Sequence, residues 1–395
     1  MPIHQRVVVE RGTRSGFPIV VAVHSTALGQ AVGGCRMAVY RDWRAGLDDA
    51  LRLSTAMTSK AALAGLPHGG GAAVVVLPRG AFGNTAGGLT ADGSMAWGPT
   101  GGMAEGVAGG PMDGMAEGVA GGPMDGMAGG LAGGVAVDRR AVLHDVGDVV
   151  RNLGGVFSIG PDVGTGPADM RVIGERTDHV LGRAGDSGPA AAAGVVAAIQ
   201  AVVADRFGSP SLSGRTFAVL GVGRVGVHLV DLLSAAGGKV LAADVDGARR
   251  TVVESLGATW TDPRTCLTAD VDVLVPAALG GVLTAATVPT LRCAAVAGPA
   301  NAQLDEPATA DLLHERGILW APDVVAGSGG IIHAVATELH RETPPRVAAR
   351  VAGIGDTLTR ILDAARETSS TPAAAASRLA GFLIGEPVAS TMAAC

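Results

Sequence analysis

TFAVLGVGRVG, residues 216–226, runs five β-prone residues into three glycines spaced G-x-G-x-x-G. A helix-forming segment follows through Leu233, then a second apolar run, KVLAADV (239–245). Strand, turn, helix and strand in that order predict a βαβ unit. In such a unit Gly221 permits the tight turn, Gly223 lets the backbone approach a phosphate, and Gly226 brings helix close to strand. Arg224 and Val225 complete the turn. A pyrophosphate would rest at the helix N-terminus, where free N–H groups and the helix dipole favour anions. Asp244 comes 23 residues after Gly221, placed to accept both ribose hydroxyls and to repel a 2′-phosphate. NAD is therefore expected over NADP, a preference that the nearby Arg249 and Arg250 weaken.

Outward from this turn the alternation continues. An Ala/Val-rich helix is expected over 190–206, and short apolar segments recur at 271–275, 293–297 and 318–320. That rhythm predicts a parallel, doubly wound Rossmann sheet within an α/β protein. The last 60 residues read as alanine-rich helix, interrupted around Ser369 to Pro372. Upstream, apolar runs within 17–40 and 72–78 predict strands. Between them Leu47, Ala50, Leu51 and Leu53 fall at helical spacing within Trp43–Ala64.

From about Gly80 to Gly134 the composition collapses to Gly, Ala, Met and Pro, and GMAEGVAGGPMD occurs twice unchanged, at 102–113 and 114–125. A unit with so few apolar groups cannot offset its backbone entropy as a solenoid. A surface insertion made by duplication, spanning about 81–136, is the expectation.

Composition narrows the function classes. The net charge is −6 and no basic run occurs, which disfavours nucleic acid or an anionic membrane as the main partner. The four cysteines, Cys35, Cys266, Cys293 and Cys395, include no CxxC pair. Neither a metal site nor a disulfide framework is expected, and a cytoplasmic location fits. The most apolar stretch, 189–204, falls short of a membrane span and reads as a buried helix. Only two lysines occur, Lys60 and Lys239, so any chemistry requiring an amine side chain must use one of them.

The front half is dense in glycines around polar residues: LGQAVGGCRM (28–37) and AMTSKAALAGLPHGGGAAVVV (56–76). Gly69, Gly70 and Gly71 precede an apolar run and would expose backbone N–H groups to a ligand. Lys60 sits in an otherwise apolar segment, where an unpaired ammonium is costly, so it is expected to meet an anion. Asp162, in IGPDVGTGPADM (159–170), lies among glycines and apolar residues where burial favours base chemistry. A salt bridge for Lys60 and a turn cap for Asp162 remain open alternatives from context alone.

These segments, together with PAALG (276–280), AGPANAQL (297–304) and APDVVAGSGGII (321–332), occur in the order seen in the glutamate/leucine/phenylalanine/valine dehydrogenase family. The chain resembles the leucine, valine and phenylalanine branch of that family over most of its length apart from the insertion. The resemblance implies an N-terminal α/β substrate-binding and oligomerisation domain (1–185), a Rossmann NAD-binding domain (186–332) with a cleft between them, and a C-terminal helical segment (333–395) packing back toward the first. It also implies a homo-oligomer and NAD-dependent oxidative deamination of an L-amino acid to a 2-oxo acid and ammonia. By position, Lys60 matches the lysine that holds the substrate carboxylate, and Asp162 the aspartate that moves protons to and from the substrate nitrogen. Asn301 matches an asparagine near substrate and cofactor. Gly69 to Gly71 match the glycine wall of the cleft, and Val32, Gly160, Ile331 and Ala334 match the side-chain pocket.

Three positions depart from the family. Its GGGK lysine, which activates water, is Ala72 here, a threonine near the nicotinamide is Ala191, and an asparagine that contacts the nicotinamide amide is Gly327. Three changes around one reaction centre point to natural divergence more than to a single engineered Lys→Ala change. The expected function is therefore an NAD-dependent oxidoreductase acting on an apolar L-amino acid or its imine, with weakened hydrolysis. The alternatives are a catalytically impaired pseudoenzyme with a regulatory or scaffold role, and an ordinary dehydrogenase in which water or His68 replaces the lysine.

Overall fold

The computed structural model describes residues 4–78, 138–183, 185–278 and 280–385. The expected insertion at 81–136 lies outside the described residues.

The first half comprises β1 (Arg6–Arg11), β2 (Pro18–Ser25), β3 (Ala31–Val39), α1 (Trp43–Leu63), β4 (Gly69–Leu77), α2 (Arg139–Asn152), β5 (Phe157–Pro161) and α3 (Pro167–Ile173). Its five strands form a mixed sheet ordered β1-β2-β4-β3-β5. Alternation along β4 explains the layering. Ala73, Val75 and Leu77 join a core with α2, β5 and α3, while Ala72, Val74 and Val76 pack with Ala50 and Leu53 of α1. Asp42 caps α1 by accepting from the Ala45 N–H.

The second half begins with α4 (Gly188–Phe207), β6 (Thr216–Leu220), α5 (Gly226–Ala235), β7 (Lys239–Ala243), α6 (Arg250–Ser255), β8 (Thr259–Trp260), α7 (Pro263–Leu267), β9 (Val273–Pro276) and β10 (Ala295–Val296). It continues through α8 (Thr309–Glu315), β11 (Leu319–Trp320), α9 (Asp323–Ala326), α10 (Gly329–Ala334), a π-helix (Val335–Leu339), α11 (Pro344–Glu367) and α12 (Pro372–Ile384). The six strands are ordered β11-β10-β9-β6-β7-β8, and every pairing is parallel. The order reverses beside β6, so the crevice at its carboxyl end is a topological switch point, where open α/β sheets take ligands.

The predicted strand at 216–220 and the break between the last two helices match the structure. Three readings need correction. β4 begins at Gly69, so the three glycines open the strand itself and do not precede it. β7 ends at Ala243, which leaves Asp244 just beyond it. Finally, α4 is long and apolar enough to cross a membrane by length and composition; its Val195, Ala198, Ile199 and Val202 are fully buried in the core formed with α5 and α11.

Candidate active site

A cleft of about 700 Å³ lies between the two sheets, within the range usual for small-molecule sites. The first half contributes Lys60 and Met57 from α1, Ala72 from β4, and Gly160 and Asp162 from β5 and the turn after it. The second half contributes Arg224 and Val225 from the glycine turn, with Asn301, Gly327, Ile331 and Ala334.

Lys60 crosses the cleft. Its Nζ donates to Asn301 Oδ1 at 2.6 Å and to the Gly327 carbonyl at 3.3 Å, and the residue is only 5% exposed. Burial pushes the pKa of its ammonium down, against an upward pull from Asp323 and Asp162. The glycine at 327 is part of this arrangement, because a Cβ there would lie 3.3 Å from Nζ and 2.9 Å from the Asp323 carbonyl.

Asp162 is held by a group that sequence reasoning quoted but did not single out. Arg36 Nε donates to Asp162 Oδ2 at 3.1 Å, and Arg36 Nη1 donates to Asp49 Oδ2 at 3.0 Å. Tyr40 Oη donates to the same Asp49 oxygen at 2.6 Å, and Arg52 donates to Asp49 Oδ1 at 2.6 Å. Burial opposes the Arg36 charge, but Asp162 and Asp49 outweigh it and raise its pKa. Burial likewise opposes the Asp49 carboxylate, yet Arg36, Tyr40 and Arg52 together hold its pKa below the usual range. The signal was present in the sequence as an arginine alternating with buried residues in β3, with acids at 49 and 162. The parallel β3–β5 pairing brings Asp162 to Arg36, and α1 supplies Asp49. Gly34 makes the approach possible, since its Cβ would lie 2.5 Å from that of Asp162.

The structure divides the expected substrate residues. Gly160, Ile331, Ala334 and Asn301 line the cleft. Gly69, Gly70, Gly71 and Val32 do not; Gly69 and Gly70 pair with β3 at Ala31 and Val32, and Gly71 pairs with Val23 of β2, all buried. The triglycine serves packing: Cβ atoms at 69, 70 and 71 would meet the Ser25 carbonyl at 1.8 Å, the Thr58 nitrogen at 2.0 Å and the Phe157 ring at 2.7 Å. Ala72, Ala191 and Gly327, the three positions expected to depart from the family, line the cleft. His68 does not line it; its ring bonds instead to the Gln30 carbonyl and to His340.

The glycine turn fits a dinucleotide. Gly221 has φ +108°, a conformation suited to glycine. A Cβ at Gly226 would lie 2.0 Å from the Gly221 carbonyl, whereas at Gly223 nothing lies within 4 Å, which leaves an open cradle. Asp244 is fixed at the turn, with Oδ2 accepting from the Val222 N–H at 2.6 Å and Oδ1 from the Asp246 N–H at 3.0 Å. Arg249 and Arg250 are engaged with Asp246 and Glu254. Among the described residues no group of three or more His, Cys, Asp or Glu could hold a metal ion.

Fold and cleft together define a two-lobed α/β protein of the dehydrogenase class. The chain belongs to the glutamate/leucine/phenylalanine/valine dehydrogenase family. Residues 2–81 match the Glu/Leu/Phe/Val dehydrogenase dimerisation domain, and residues 243–343 match the Glutamate/Leucine/Phenylalanine/Valine dehydrogenase domain. Valine dehydrogenase of Streptomyces albus is 36% identical over 95% of this chain and 91% of its own length. Leucine dehydrogenase of Geobacillus stearothermophilus is 32% identical over 95% and 89%. The crystal structure of L-tryptophan dehydrogenase from Nostoc punctiforme superposes with a TM-score of 0.70 at 31% identity, covering 97% of this chain and 96% of that one. These relatives are amino-acid dehydrogenases.

Proposed function

We propose that the chain is an NAD-dependent oxidoreductase acting on the CH–NH2 or imine group of an apolar L-amino acid or a derived imine, with the hydrolytic half of the reaction weakened. The observation that carries this reading is the meeting of Lys60, Asp162 and Asn301 in one cleft where position 72 offers only a methyl group. In this reading residues 1–185 supply the substrate side, 186–332 the nucleotide side and 333–395 a C-terminal segment, of which α12 packs back against α1. A soluble, cytoplasmic homo-oligomer is part of the same reading, supported by the match of residues 2–81 to a dimerisation domain.

Gly221, Gly223, Arg224, Val225, Gly226 and Asp244 would hold the dinucleotide, whose nicotinamide supplies the hydride acceptor when bound. Lys60 holds the substrate carboxylate by turning its ammonium from Asn301 Oδ1. Asp162, steadied by Arg36, takes the proton from the substrate ammonium and returns it in the reverse direction. Gly160, Ile331 and Ala334 shape the pocket for the side chain, and their small or aliphatic character favours a large apolar group. Asn301 sits where substrate and cofactor meet. No amine at position 72 is available to deprotonate water, and His68 is turned away, so water attacks the imine slowly.

The test is a paired assay of the purified chain: NADH formation from L-leucine, L-valine and L-phenylalanine, and NADH consumption with a preformed cyclic imino acid. The expected result is imine reduction exceeding deamination, with deamination raised by Ala72→Lys. Deamination by the unaltered chain at typical enzyme rates, about ten per second, would show that Ala72 is no handicap.

A further inference from the structure

His68 and His340 meet outside the cleft, at the junction between the first half and the C-terminal segment. Their Nε2 atoms are 3.2 Å apart, with ring centroids 5.3 Å apart and planes 21° from parallel. His68 Nδ1 lies 3.0 Å from the Gln30 carbonyl. A carbonyl can only accept, so this nitrogen carries the hydrogen and a neutral His68 presents a bare Nε2. His340 Nε2 must then donate. Its other nitrogen faces Glu342 Oε1 at 3.8 Å.

We propose that this pair is an acid-opened clasp, in which one N–H···N bond ties the base of β4 to the C-terminal segment and a second proton releases it. With both rings protonated, N–H would point at N–H across 3.2 Å, and the bond would become a repulsion. Burial, then the neighbouring His340, pushes the His68 pKa down, while the Gln30 carbonyl pulls it up. Because the folded state holds that proton less tightly than the unfolded chain, stability falls as pH drops below the unfolded value of about 6.5.

The backbone around His340 is irregular. The residue follows the π-helix Val335–Leu339 and precedes Arg341, a non-glycine residue at φ +53°. Such departures cost free energy and mark constrained sites. Other charged groups converge on the segment. Glu342 accepts from Arg350 at 2.9 Å and lies 4.0 Å from Arg346. Glu338 accepts from the Gly182 and Arg183 backbone N–H groups. On the Gln30 side, Gln30 Nε2 donates to the Gly155 carbonyl, and His179 packs beside Gly155. Residues 61–67, which lead into His68, carry no titratable side chain. Ile331 and Ala334 belong to α10, which runs directly into the π-helix. Opening the clasp therefore loosens one wall of the cleft from the strand that carries Ala72.

The experiment compares melting temperatures at pH 7.5 and 5.5 for the full chain, His68→Gln, His340→Gln and the double variant. The unaltered chain should lose about 1–2 °C more than either variant on acidification. The double variant should behave like the singles, because the pair acts as a unit. ¹⁵N spectra of the histidines in the unaltered chain supply an arm that needs no variant: a His68 ring bearing its hydrogen on Nδ1 at pH 7.5, with Nε2 taking up its proton only as the pH falls below the ordinary histidine value of about 6.5. Equal acid sensitivity in all four proteins, additive effects, or the opposite tautomer would overturn the clasp. So would stabilisation by one equivalent of Zn²⁺ that either variant abolishes, which would make the pair a metal site. None of these readouts requires catalytic activity.

Discussion

Replacing Arg36 with methionine removes the one cation shared by Asp49 and Asp162 while keeping much of the side-chain volume. Both carboxylates are mostly buried, with side-chain exposures of 10% and 15%. Asp49 keeps Tyr40 and Arg52 as donors, but Asp162 loses its only side-chain cation within ion-pair distance among the described residues. Breaking a buried pair by removing one partner typically costs 3–5 kcal/mol; the donors left on Asp49 reduce this to about 3 kcal/mol at pH 7. Urea unfolding followed by circular dichroism is the assay. The pH dependence carries a second check. Asp49 has its folded pKa depressed, so its stabilisation is present above the unfolded value and is lost as pH falls through the folded value. The gap between the two proteins should therefore be widest near neutrality and narrow below about pH 4. A variant within about 0.5 kcal/mol of the unaltered chain, typical of an inconsequential surface change, would show that the guanidinium does not hold these acids. So would a gap that stays constant with pH.

Calorimetry should show NADH binding more tightly than NADPH, with Asp244→Ala reducing the difference; equal affinities in the unaltered chain would remove the role given to Asp244. Gly69→Ala should prevent normal folding, because its Cβ would lie 1.8 Å from the Ser25 carbonyl; a soluble variant with an unchanged melting curve would contradict the packing account of the triglycine. Burial pushes the Cys35 and Cys266 thiols up to about 12 and that of Cys293 up to about 11. Native protein at pH 8 should leave these three unmodified by iodoacetamide within an hour, as read by peptide mass spectrometry, and rapid labelling of Cys35 would contradict its burial. Asp162→Asn should abolish redox turnover while leaving NADH affinity within about twofold, a change of about 0.4 kcal/mol by the usual conversion; retained turnover would remove Asp162 from the proton path.

The nucleotide half was legible because its signals are local. The strand at 216–220, the three glycines and the helix after them lie within a few turns of chain, and each residue's reason is found among its neighbours. The first half was harder, since its determinants are contacts across the sheet. Nothing near Gly69 to Gly71 in sequence reveals Ser25, Thr58 or Phe157 pressing on them, so strand-packing glycines read like a ligand loop. Arg36 was invisible as a partner of Asp162 for the same reason: 126 residues separate them and a parallel strand pairing joins them. In the sequence His68 stands four residues before Ala72 and reads as a candidate base. The stagger of β4 and the return of the C-terminal segment decide instead that it meets His340.

The Lys60–Asn301 bond also bears on how tightly the cleft can hold anything. A carboxylate ligand that reaches Lys60 must break a 2.6 Å bond already made inside the protein, so its measured affinity is the difference between two charge-assisted interactions. When the ligand leaves, the protein recovers its own. If Lys60 holds the substrate carboxylate as proposed, this internal bond weakens the grip on substrate and product alike. A variant that removes the Asn301 oxygen from Nζ should retain a carboxylate longer and exchange it more slowly.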